Sequence, residues 1–258
     1  LDVLNSQISK RSVFHPFYAG DVCLNDVCLP ATYEVIPELL DVENSYLAIK
    51  KEMEAALGDR SRVPYMHDTY NNIFVYKGSA ANNNFISRKI AKLIYGKDTE
   101  IFDRIGSKNW KTYNLILFNQ DVPKNSEKCP ITVSLLKRVP GVQSALFSII
   151  APGTYIPPHR DPAKGVIRYH LALKVPKDRK NCYINIDGYN YHWEEGKGIL
   201  FDDVYDHYVR NDTKEERVIL FVDILRPLHG VAKFLQNLAN FANRTNPGVK
   251  QLIRESII

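Results

Sequence analysis

The chain has no apolar run near the roughly eighteen residues that mark a membrane-spanning helix, so no span of that kind is expected in it. Cysteine is scarce, with four in 258 residues. Cys23, Cys28, Cys129 and Cys182 form no C-x-x-C pair, which removes the usual spacing of a zinc site or a dithiol redox centre. A Cys23–Cys28 bridge is geometrically open, yet a reduced compartment is the simpler expectation. The net charge is only +5, and no dense block of Lys and Arg interleaves with aromatic residues. Nucleic acid is therefore not an expected partner. Internal repeats and low-complexity stretches are absent too.

What is present is ordinary globular composition, 45% apolar and 24% charged, in a length that suits one domain over residues 1–258. Three regions divide it: an irregular and helical N-terminal support, 1–142; a core of strands, 143–227; and an amphipathic helical tail, 228–258. His15-Pro16 and Leu29-Pro30 break any pattern before about residue 32. Helices are expected over 44–57, where Tyr46, Ile49, Met53 and Leu57 keep helical spacing before Gly58, over 84–95 before Gly96, and after Pro130 in ITVSLLKRV. From Gln143 onward the character changes. Short strands are expected near 143–151, 155–159, 167–175, 181–187, 189–193, 198–202, 207–211 and 216–225. Pro152-Gly153, Asp187-Gly188, Glu195-Gly196 and Asn211-Asp212 are the turn signals among them. Eight short strands at this spacing predict a mainly β fold with flanking helices and a double-sheet jelly roll at its core.

The chemistry concentrates in His159-Arg160-Asp161, His207 and Arg217. On an extended segment His159 and Asp161 would point to one side of a strand. A second imidazole, His207, would complete a two-histidine, one-carboxylate face with open positions, the ligand set of non-haem Fe(II) oxygenases. Arg217, in the apolar run RVILFVDIL, is placed to hold the far carboxylate of a 2-oxoacid through a forked, charge-assisted hydrogen bond. The bland reading of each residue alone is packing or surface duty, and it is their combination that points to an oxidoreductase.

The words around these residues, PGTYIPPHRDP, IRYHLALKVPK, WEEGKGILFDDVYDH and RVILFVDILRP, together resemble the aspartyl/asparaginyl β-hydroxylase family, whose bacterial branch includes the lipid A acyl-chain hydroxylases. The similarity runs from Trp110 to Pro227. It implies a double-stranded β-helix (cupin-like) fold and a hydroxylase that uses Fe(II), 2-oxoglutarate and O2. It also implies that His159, Asp161 and His207 bind iron, and that Arg217 pairs with one cosubstrate carboxylate. Arg168 and His170 would contact the other cosubstrate end, with Ser148 hydrogen-bonding to it. Asp161 is where the family divides, since animal aspartyl hydroxylases carry glycine there; HRDP places this chain nearer the lipid-modifying branch. Asp202 and Asp203 are candidates for orienting His207, while Trp193 reads as a turn residue.

The expected substrate is a lipid acyl chain or an Asp/Asn side chain. A non-catalytic cupin-like binding module, and hydrolysis at zinc or manganese, are the alternatives. Val231, Phe234, Leu235, Leu238 and Phe241 form an apolar stripe in a basic tail, which can rest on an anionic membrane surface, on the barrel or on a second subunit. A cytoplasmic or peripheral membrane location follows. The first residue is Leu1 rather than Met, which leaves room for an anchor or signal upstream.

Overall fold

The structure is a computed structural model that describes residues 36–66, 109–161, 165–203, 205–226 and 230–256. The expected helix over 84–95 and the Cys23–Cys28 pair lie outside these residues. The eight expected strands are all present, as β3 (Val142–Ile150), β4 (Thr154–His159), β5 (Val166–Lys174), β6 (Cys182–Ile186), β7 (Tyr189–His192), β8 (Gly198–Phe201), β9 (His207–Asn211) and β10 (Arg217–Leu225). Two further strands, β1 (Trp110–Leu117) and β2 (Gln120–Asp121), precede them, so the region read as irregular and helical extends the sheet. Their turn, Phe118-Asn119, has positive φ at both residues, as a two-residue hairpin needs, but carries no glycine to announce it.

The strands form two antiparallel sheets. One has the order β2-β1-β3-β10-β5-β8 and the other β4-β9-β6-β7. Counted from β3, these are the first, eighth, third and sixth strands facing the second, seventh, fourth and fifth, the pairing of a double-stranded β-helix. Alternation decides what each face meets. On β10 the side chains of Val218, Leu220, Val222 and Ile224 join a core with Leu39, Ile49 and Met53. Ile219 and Phe221 point the other way, into the space between the sheets, with Ile184, Trp193 and Phe201. Both faces are covered, which is why the strand reads as an unbroken apolar run.

The outer layer is α1 (Leu39–Asn44), α2 (Tyr46–Ala56) and α3 (Pro130–Arg138). The helix expected over 44–57 is α2; α1, parted from it at Ser45, is an additional helix before that range. Helix α3 starts without a cap from its own chain segment. Glu52 of α2 supplies one, accepting from the Ile131 and Thr132 amides at 2.8 and 2.9 Å. Helices α4 (Gly230–Thr245) and α5 (Pro247–Glu255) follow the last strand. Of the surfaces open to the stripe, which were a membrane, the barrel or a second subunit, the barrel does not take Phe234, Leu238 and Phe241: they are 67%, 56% and 66% exposed.

Candidate active site

Cross-strand register brings the two histidines together. His159, at the end of β4, pairs with His207, the first residue of β9, and their ring centroids lie 4.2 Å apart. The register slips by one residue between Ile156 and His159, across Pro157-Pro158. Prolines cannot donate to the ladder and gather at such bulges, and the extra residue aims His159 at its partner. Each ring is then fixed the same way. His159 Nδ1 lies 2.8 Å from the Pro157 carbonyl and His207 Nδ1 lies 2.9 Å from that of Tyr205. A carbonyl only accepts, so each Nδ1 carries the hydrogen and each Nε2 keeps a lone pair, the form a metal requires. Burial and the neighbouring His159 pull His207 down to about 4, which keeps the ring neutral.

Asp161 arrives differently from the expectation. The strand stops at His159, and Asp161 is held just beyond it by its amide, which donates to the Asp203 carbonyl at 3.0 Å. Its carboxylate accepts from Arg168 at 2.6 Å. Burial alone would raise that carboxyl; Arg168, the two imidazoles and a hydrogen bond with Asp203 outweigh it and hold Asp161 below the usual range. Burial pushes Asp203 well up, so it is the neutral member of the pair and donates to Asp161. Among the described residues no three His, Cys, Asp or Glu side chains form a ready-made metal cage. Two imidazoles are in place, and the third donor is engaged by Arg168.

Arg168 itself is surrounded. Its guanidinium meets Asp161 at 2.6 Å, Asp203 at 2.9 Å and Asp223 at 2.9 Å, and lies over the Phe221 ring. Its observed contacts are thus with the carboxylates beside the two histidines. The expected role of Asp202 and Asp203 on His207 is overturned: the Tyr205 carbonyl orients that ring, Asp203 serves Asp161 and Arg168, and Asp202 pairs with Arg226. Asp223 escaped the sequence reading, although a carboxylate inside an apolar strand run signals a buried pairing. With Asp203 neutral, the Asp161 and Asp223 carboxylates on one guanidinium leave an excess of negative charge beside the two Nε2 atoms, a donor set that suits a divalent cation.

At the other end of β10 the charge balance reverses. Arg217 is 2% exposed, meets no carboxylate among the described residues, and makes a long hydrogen bond of 3.5 Å to the Ser148 carbonyl. Its guanidinium lies 4.5 Å from the centre of the Trp193 ring, and its Nε has no hydrogen-bond partner. Burial draws it down to about 10. Trp193 lies in the connection leading to the Glu195-Gly196 turn, yet its side chain is a wholly buried wall of the site. Ser148 Oγ accepts from the Trp110 indole at 2.9 Å, which leaves its own hydrogen to give. Between the two ends stands His170, packed edge-on against Phe201, held neutral by burial, with neither ring nitrogen bonded among the described residues. Buried polar atoms without partners are costly, so this row of them marks a place for a polar ligand.

The aspartyl/asparaginyl β-hydroxylase family model matches residues 43–227. The chain belongs to this family. The ornithine lipid ester-linked acyl 2-hydroxylase of Rhizobium tropici is 34% identical over 218 residues, covering 82% of this chain and 68% of that protein. Human aspartyl/asparaginyl β-hydroxylase is 33% identical over 127 residues, covering 46% of this chain and 16% of its own length. Human aspartate β-hydroxylase domain-containing protein 2 is 35% identical over 132 residues, covering 47% of this chain and 34% of its own. The chain thus spans about a sixth and a third of those two human relatives. These relatives are named for hydroxylation.

Proposed function

We propose that this chain is an Fe(II)- and 2-oxoglutarate-dependent dioxygenase that hydroxylates the acyl chain of a polar lipid. The observation that carries the reading is Arg217, a buried guanidinium that meets no carboxylate among the described residues, on the same interior as two imidazoles whose Nε2 atoms keep a lone pair. Iron, with 2-oxoglutarate and O2, supplies the oxidising power to place one oxygen atom in an unactivated C–H bond, leaving succinate and CO2. His159, His207 and Asp161 hold the metal. Arg217 takes the far carboxylate of the cosubstrate by a forked pair of hydrogen bonds. Trp193 keeps that cation out of water, and the Ser148 hydroxyl and His170 ring hydrogen supply further donors along the way. Arg168 and Asp203 hold the Asp161 carboxylate ionised and aimed. No side chain has to move a proton from substrate, since the cofactors carry that chemistry.

The choice of lipid over an Asp or Asn side chain is supported by the extent of likeness: the relative named for a lipid substrate matches most of this chain, those named for aspartyl and asparaginyl residues less than half. Anaerobic addition of Fe(II) and 2-oxoglutarate should raise a visible charge-transfer band that His159→Ala loses. Lipids from cells that express the chain should gain one oxygen atom by mass spectrometry. No band, with His159→Ala indistinguishable from the parent, would reject the reaction; oxygen gained on protein and not on lipid would reject the substrate.

A further inference from the structure

We infer that the exposed face of α4 rests on an anionic lipid surface and brings the mouth of the barrel against it. Phe234, Leu238 and Phe241 recur at helical spacing and stand 67%, 56% and 66% exposed, while Gln236, on the opposite side of the helix, is buried. Exposed large apolar side chains in a row are uncommon on a free surface and mark contact with something apolar.

Four features name the partner. Lys233 and Arg244, both exposed, flank the stripe on one side, and α5 adds exposed Lys250 and Arg254 against Glu255 alone. A narrow apolar ridge with a basic border is the pattern of a helix lying in a bilayer interface. A cleft of about 570 Å³ opens beside Phe241, lined by Asn119, Gln120, Gln143, Asn237, Asn240 and Arg244. These amides and one cation suit the level of polar headgroups, with Phe241 reaching below it. Last, α4 is tied to the site: Gln236 Nε2 donates to the Gly165 carbonyl at 3.0 Å and to that of Arg226 at 3.1 Å. Gly165 leads into β5 and Arg168, and Arg226 pairs with Asp202 beside Asp203. A surface gripped by α4 therefore meets the barrel at its metal end. The inference rests on the proposed lipid substrate for the meaning of docking, not for its occurrence.

The test is vesicle flotation with the full 258-residue chain, using phosphatidylcholine vesicles with and without phosphatidylglycerol. The parent should float with the anionic vesicles, and a Phe234→Ser, Leu238→Ser, Phe241→Ser variant should bind at least tenfold less with an unchanged melting temperature. Lys233→Glu with Arg244→Glu should abolish the preference for anionic vesicles. Failure of the parent to float, or equal flotation of the serine variant, overturns the inference. So does a dimer that the serine variant dissolves, since the face would then belong to a second copy. A sharp loss of melting temperature in that variant would also overturn it, because another segment of the chain would then cover the stripe. Lipid hydroxylation in detergent without vesicle binding would sink docking and spare the substrate reading; binding without hydroxylation would do the reverse.

Discussion

Arg217→Met separates function from stability in opposite directions. Among the described residues Arg217, nearly fully buried, faces no carboxylate and has an unbonded Nε, so without a bound anion it is a poorly compensated charge in the interior. The penalty for such an ion, after relaxation, is several kcal/mol. Methionine has similar reach and no charge. Part of the gain is offset by the lost contact with the Trp193 ring, worth up to about 2 kcal/mol when desolvated. The cosubstrate-free variant should therefore be as stable as the parent or more so, by roughly 1–3 kcal/mol in urea unfolding. Cosubstrate affinity should fall steeply. Removing one partner of a buried charge pair costs about 2–5 kcal/mol, or roughly thirtyfold to several thousandfold at about 1.4 kcal/mol per tenfold.

A third measurement closes the argument. With a redox-inert divalent metal bound, 2-oxoglutarate at a hundred times its dissociation constant should stabilise the parent by about 2.7 kcal/mol. The same concentration should leave Arg217→Met almost unmoved. Arg217→Lys, which keeps the charge and loses the fork, should fall between. A methionine variant that is several kcal/mol less stable yet binds 2-oxoglutarate normally would refute the reasoning. The arginine would then be a packing element and the anion site would lie elsewhere.

Adjacent aspartates should behave as unrelated residues. Asp203→Ala removes the donor to Asp161 and should weaken divalent-metal affinity about 10–100-fold in equilibrium dialysis, with Asp203→Asn, whose amide still donates, recovering most of it. Equal loss in both variants would point to general damage instead. Asp202→Ala takes away the carboxylate that Arg226 pairs with in the interior, and should lower unfolding stability by about 3–5 kcal/mol while the folded fraction binds metal normally. Gly198→Ala would drive its Cβ into the hydroxyl and ring of the fully buried Tyr169, and overpacking of this kind costs about 1–3 kcal/mol; an unchanged melting temperature would show that the Tyr169 ring moves aside freely.

What could be read from the letters followed the range over which each feature is determined. The eight core strands were legible because most of their boundaries are local: Asp187 and Gly188 both take positive φ in a two-residue turn, and Gly153 and Gly196 do so at other corners. Strand β1 was missed because its turn is built from Phe118 and Asn119, and Trp110–Leu117 is identifiable as a strand mainly by lying beside β3. The site divides along the same line. His159, His207 and Arg217 could be named from short words, yet the reason first given for Asp161, alternation along a strand, does not apply past the end of β4. Its place is set by Asp203, forty-two residues on, through one backbone and one side-chain hydrogen bond. Sequence offers no means of telling that Asp202 turns to Arg226 and Asp203 to Arg168, because successive residues at a strand end diverge and only the folded loops decide what each meets. The same logic explains the tail. An apolar stripe declares that a helix must cover one face, and local pattern cannot say with what. In this fold the barrel takes Gln236 instead and leaves Phe234, Leu238 and Phe241 exposed, the face inferred above to meet lipid.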